Sequence, residues 1–143
     1  LATSILSSGR VTFDNEVDRR DIETGSGSCE NGAGDTASIS IKVLRVMDYI
    51  INNTDANLRL GAVTSGHHCN EGLHPKGLAF DIGNEEVAGV VMSKVFAARE
   101  QLGINEMFFN GSSGKDYTMD GGQSSPGLQM SGHDNHIHIG VYP

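Results

Sequence analysis

Two stretches of the chain alternate between apolar and polar positions as strands do. In Leu73–Gly83, Leu78, Phe80 and Ile82 fall on one face and Ala79, Asp81 and Gly83 on the other. In His136–Val141, Ile137, Ile139 and Val141 are apolar while His136, His138 and Gly140 share the opposite face. A side-chain period of two predicts a half-buried strand in each. Two other segments repeat at helical spacing. Ile39, Val43, Val46, Met47, Ile50 and Ile51 make one apolar stripe, in a helix capped by Asp35 or Thr36 and ended by Asn52 and Asn53. Val87, Val90, Val91, Val95, Ala98 and Leu102 make another, in a helix that stops at Gly103. Asn84 is its expected cap, with Glu85 and Glu86 in the first turn, where the helix dipole favours acids.

Weaker patterns fill the gaps. Residues 2–8 read as a short helix ended by Gly9, Arg10–Phe13 as a brief edge strand, and Leu58–Ser65 and Asn105–Phe109 as further strands. Residues 14–34 are polar and Gly-rich and read as loop. Residues 110–132 hold many Gly and Ser and read as a wall or lid of a cleft, because so long a loop in a small domain is usually functional or mobile. The expected fold is α+β: a small, mostly antiparallel sheet with two helices packed on one face and a cleft on the other. A length of 143 residues suits one domain, with residues 1–34 as a loop-rich extension and 35–143 as its core.

A net charge of −8 argues against nucleic acid or an anionic membrane as partner. No apolar run approaches the length that spans a bilayer. The chain begins at Leu1 with no signal-like segment, as expected of a mature form or an excised domain. Cys29 and Cys69 are the two cysteines. A disulfide between them would imply a secreted or periplasmic setting; two unrelated thiols or a thiolate ligand are the alternatives.

The chemistry comes from the two alternating runs together. If they pair with their polar faces alike, Asp81 and His138 converge, and Ala79, Gly83 and Gly140 leave room above the sheet. His74, on the loop before the first run, can fold over that face. Two imidazoles and a carboxylate around one point are the ligand set of a catalytic zinc with one position open. His136 lies two residues before His138, roughly 7 Å away along a strand, which suits a group acting beside the metal better than a further ligand.

The run Gly72-x-His74-x-x-Gly77-x-Ala79-x-Asp81, followed far downstream by His136-x-His138, resembles the zinc peptidases grouped as lysostaphin, D-Ala-D-Ala peptidases and hedgehog. More narrowly it is similar to the D-Ala-D-Ala carboxypeptidase and endopeptidase branch, peptidase family M15, whose signature has Ser where Gly72 stands. The resemblance spans roughly residues 58–142. It implies one Zn2+ per chain on His74, Asp81 and His138, with His136 acting in catalysis. Many relatives place an acid three residues before the zinc His. That position is Asn135 here, so Asp134 becomes the candidate for proton transfer, with a solvated turn carboxylate as the alternative. A Ser-Gly-Tyr-Arg-like run is replaced by Ser65-Gly66-His67-His68, which makes Ser65 and His68 the expected substrate contacts.

The implied reaction is hydrolysis of a peptide bond next to a D-amino acid in bacterial peptidoglycan, by an extracytoplasmic monomer whose partners are peptidoglycan or its peptides. Endopeptidase action is favoured over a D,D-carboxypeptidase. A terminal carboxylate is best held by the planar fork of Arg, and His68 stands in its place. A hedgehog-like zinc-bearing binding module without turnover and a purely structural module are the other readings. No nucleophile elbow, P-loop or dinucleotide fingerprint competes with these.

Overall fold

The computed structural model describes residues 1–27, 37–65 and 72–143. The expected Cys29–Cys69 disulfide, His67, His68 and the helix cap at Asp35 or Thr36 all lie outside the described residues. The elements run α1 (Ala2–Ser7), β1 (Val11–Phe13), α2 (Glu16–Thr24), β2 (Ser26–Gly27), β3 (Ala37–Ser38), α3 (Ile41–Asn53), β4 (Leu58–Ala62), β5 (Ala79–Ile82), α4 (Ala88–Ala97), α5 (Arg99–Leu102), β6 (Ile104–Phe108), β7 (Met119–Asp120), β8 (Gln123–Ser124) and β9 (Ile137–Val141). Seven strands form one sheet in the order β1-β4-β5-β9-β6-β7-β8, and β2 and β3 form a separate pair. Among the described residues only the β1–β4 pairing is parallel, so the α+β class and the mostly antiparallel sheet follow the alternating pattern.

The two strands singled out by the sequence are neighbours at the centre of the sheet. Both are buried along their whole length, not half-buried as their alternation suggests. One face supplies Phe80, Ile82, Ile137, Ile139 and Val141 to a core shared with Val43, Val46, Met47 and Ile50 of α3 and Val91 and Val95 of α4. The other face is covered by Leu73, His74 and Glu106. Polar positions there pair with one another, which is why this face too is buried where the alternation predicts a half-buried strand.

The N-terminal region departs most from expectation. Residues 16–24, read as loop, are α2, capped by Asn15 Oδ1 accepting from the Val17 N–H at 3.0 Å and ended by Gly25 at φ 84°. The stripe was hidden because its buried side carries Asp18 and Asp21 beside Ile22. Ile5 and Ile22 join the common core and β1 pairs with β4, so residues 1–27 are part of the domain and not an extension of it.

Smaller differences have local causes. The α3 helix is capped by Ser40, whose Oγ accepts from the Lys42 N–H at 3.2 Å. Asn84 caps no helix through its side chain; it accepts from Arg59 N–H at 2.9 Å and donates to the Asn57 carbonyl at 2.7 Å. A 3-10 turn, Glu85–Val87, precedes α4, and the single expected helix breaks at Ala98 between α4 and α5. That change of phase leaves Val90 exposed at 43% and brings Ala88 and Met92 inward. The glycine-rich stretch before β9 contains β7 and β8, which extend the sheet, and buries Met119 opposite Met107.

Candidate metal centre

Asp81 and His138 stand directly opposite each other in the β5–β9 ladder, and opposite residues of an antiparallel pair share a face. His74 arrives from a 3-10 turn, His74–Lys76, that ends at Gly77 with φ 69°. A Cβ at Gly77 would lie 2.1 Å from the Ser38 carbonyl oxygen, so glycine alone lets the turn pack where it does.

Three ligand atoms converge. His74 Nε2 lies 3.2 Å from Asp81 Oδ1 and 3.2 Å from His138 Nδ1, and His138 Nδ1 lies 3.1 Å from Asp81 Oδ1. The three residues are only 4%, 7% and 6% exposed. Each imidazole has an acceptor on its far side: His74 Nδ1 is 2.7 Å from the Val63 carbonyl, and His138 Nε2 is 2.7 Å from Glu106 Oε2. Carbonyl and carboxylate oxygens only accept, so a ring whose single proton sits on the outer nitrogen has a partner for it and presents the inner lone pair to the centre. A tetrahedral ion with bonds of about 2.0–2.1 Å has ligand–ligand edges of roughly 3.3–3.4 Å. The observed edges are close to that, and the buried His74, Asp81 and His138 can hold a metal ion.

The same geometry sets the protonation of the metal-free centre. Burial pushes His138 down, but hydrogen bonds and charges from Asp81 and Glu106 outweigh it and raise the imidazole to about 9. Burial pushes Asp81 up, but hydrogen bonds and charges from His138 and His74 outweigh that and hold the carboxylate well below its ordinary range. A proton and a metal ion therefore compete for His138 Nδ1.

The sequence reading did not find Glu106. It sits on β6 opposite Gly140, on the face that carries His138, while Ile104, two residues earlier, sits opposite Val141 on the core face. Residues two apart on a regular strand share a face. The register shift between Ile104 and Glu106 reverses this, making Asn105 the extra residue of a bulge. No alternation count reveals a bulge.

The other expected site residues are placed less uniformly. His136 stands just before β9, half-buried, with Nε2 3.7 Å from Asp81 Oδ2 and Nδ1 2.9 Å from Asn135 Oδ1. Burial lowers its pKa, Asp81 raises it, and His133, His138 and His74 lower it further, for a net downward shift. Asp134 is exposed and accepts from Asn110 Nδ2 at 2.9 Å. Ser65, expected to touch substrate, is buried and donates its hydroxyl to Asp18 Oδ2 at 2.6 Å. A cleft of about 200 Å³ opens beside the triad, lined by Gly72, Leu73, Glu106, Phe108 and His133 with the two ligand histidines. Phe108 stacks on His138 at 5.3 Å, and His133 stands 4.9 Å from His136.

Comparison with family models, with curated proteins and with solved structures returns no match for this chain.

Proposed function

We propose that this chain is a zinc-dependent peptidase of the D-Ala-D-Ala carboxypeptidase and endopeptidase kind, acting on peptide bonds next to D-amino acids in bacterial peptidoglycan, with endopeptidase action favoured. The observation that carries the reading is the convergence of His74 Nε2, Asp81 Oδ1 and His138 Nδ1 at 3.1–3.2 Å, with the outer nitrogen of each imidazole facing an acceptor. Two imidazoles and one carboxylate suit zinc with a position left open. When bound, zinc supplies Lewis acidity and brings the pKa of a water ligand to about 7.

The chain's own residues supply the rest. His136 borders the centre, and its lowered pKa makes it a neutral imidazole at pH 7, suited to accepting a proton in the cleft. Asp134 is held by Asn110, which supports an orienting role in the turn before β9 over proton transfer. Phe108, Leu73 and Gly72 line the cleft beside the ligands, where they would meet the substrate and displace water from it.

Digestion of cross-linked muropeptides by the zinc-loaded chain tests the reading. New amino termini within cross-links are the expected products by mass spectrometry, and release of single D-alanine would move the assignment to carboxypeptidase. A second reading, a zinc-bearing binding module, is favoured by the engagement of Ser65 by Asp18 and of Asp134 by Asn110. Zinc at full stoichiometry with no cleavage of any wall preparation would select it.

A further inference from the structure

We propose that Glu106 is a positioning residue that fixes His138 in the tautomer whose Nδ1 lone pair faces the metal, and so sets how tightly the centre retains a divalent ion. The inference rests on the metal-centre reading above. His138 has two ring nitrogens in different surroundings: Nδ1 is 3.1 Å from Asp81 Oδ1, and Nε2 is 2.7 Å from Glu106 Oε2. Both neighbours are acceptors, so a neutral His138 has two competing tautomers. With the proton on Nδ1, it is spent on Asp81 and the ring cannot ligate. With the proton on Nε2, Glu106 accepts it and Nδ1 is free for the ion. His74 differs, because its outer partner is the neutral Val63 carbonyl. Glu106 brings a full charge to the far side of His138, and a carboxylate there both orients an imidazole and raises its basicity at the ligating nitrogen.

The backbone is shaped around this contact. If the strand ran on regularly through Asn105, Glu106 would share the core face with Ile104, where an unpaired charge is strongly unfavourable. The bulge also leaves Asn105 Oδ1 buried with no hydrogen-bond partner among the described residues, a local cost that the re-aimed Glu106 offsets. Opposite it, Gly140 leaves the space: a Cβ there would lie 3.3 Å from Glu106 Oε2 and 2.6 Å from Leu73 Cδ1.

The test compares the full chain with Glu106→Gln and Glu106→Ala, titrating zinc against a competing chelator. Exchange of the His138 Nε2 proton in the zinc-loaded protein is followed by 15N-resolved NMR. Glu106→Ala is expected to lose about 10- to 100-fold in zinc affinity and to expose the Nε2 proton to exchange. Glu106→Gln keeps an acceptor oxygen and the shape, so it should hold the proton and lose less affinity. It also keeps the test alive if the alanine variant does not fold. Wild-type zinc binding with unchanged affinity in Glu106→Gln and in any folded Glu106→Ala would overturn the role of Glu106. Failure of the wild type itself to bind zinc would instead overturn the metal-centre reading, and this inference with it.

Discussion

The carboxylate of Asp18, on α2, accepts the backbone N–H of Val63 at 3.1 Å, and the carbonyl of the same Val63 accepts the outer proton of His74 at 2.7 Å. The same Asp18 Oδ1 also takes the N–H groups of Thr64 and Ser65 at 3.1 Å, and Asp21 accepts the Thr64 hydroxyl. A helix outside the ligand set thus fixes the backbone just after β4 that orients one ligand.

Asp18→Ala therefore has two expected effects. It leaves three buried N–H groups without their acceptor, and each such loss costs about 1–3 kcal/mol, so stability should fall by roughly 3 kcal/mol or more in urea denaturation. It should also weaken zinc binding, because Val63 is no longer held against His74. A folded Asp18→Ala variant with wild-type zinc affinity would show that β4 alone positions the Val63 carbonyl.

The ligand assignment predicts a clean division among the histidines. His74→Ala and His138→Ala should lose most of the bound zinc, read by metal analysis after gel filtration. His136→Ala should keep it, since its Nε2 lies 3.7 Å from Asp81 Oδ2, outside the cluster of converging ligand atoms. If His136 moves a proton in the reaction, that variant should lose about 10²–10⁴-fold in rate while still loaded. Equal zinc loss in all three would make His136 a ligand.

Protonation predicts how the ion's effect varies with pH. In the metal-free protein His138 is raised from 6.5 to about 9, so its contribution to stability is fully present below 6.5 and is lost as pH rises through 9. Asp81 is depressed from 3.8, so its contribution is present above 3.8 and is lost as pH falls through its lower folded value. Bound metal replaces the proton on His138 Nδ1 and gains affinity as that proton becomes easier to remove. The difference in Tm between zinc-loaded and metal-free protein should widen from pH 6 to pH 9. A constant or narrowing difference would contradict the proton–metal competition.

What was legible in the sequence divides along physical lines. The alternation in Ala79–Ile82 and Ile137–Val141 gave the pairing face, and with it the meeting of Asp81 and His138, because period two is a property of any strand. The α2 helix was illegible because its inward positions are Asp18 and Asp21, carboxylates whose partners lie more than forty residues away in sequence. Glu106 was illegible because a bulge shifts the count by one, and nothing in Ile104-Asn105-Glu106 announces it. Helix ends moved by a few residues for the same kind of reason: Asn84 is drawn to β4 and not to its own helix.

The two glycines flanking His74 give a last prediction, because they look alike in sequence and differ in space. Gly72 and Gly77 both adopt left-handed backbone, at φ 76° and 69°. Among the described residues a Cβ at Gly72 meets nothing within 4 Å, whereas at Gly77 it meets the Ser38 carbonyl oxygen at 2.1 Å. Gly72→Ser, which restores the residue of the resembled signature, should therefore cost only the conformational penalty of about 1–2 kcal/mol and leave zinc binding intact. Gly77→Ala bears that penalty and must also push the turn away from β3, an overpacking cost of about 1–3 kcal/mol more. Because Gly77 follows the turn that carries His74, the movement should displace the ligand and lower zinc affinity. Thermal denaturation and zinc titration of the two variants check this. Equal losses in both would mean that the close approach to Ser38 does not hold the His74 turn in place.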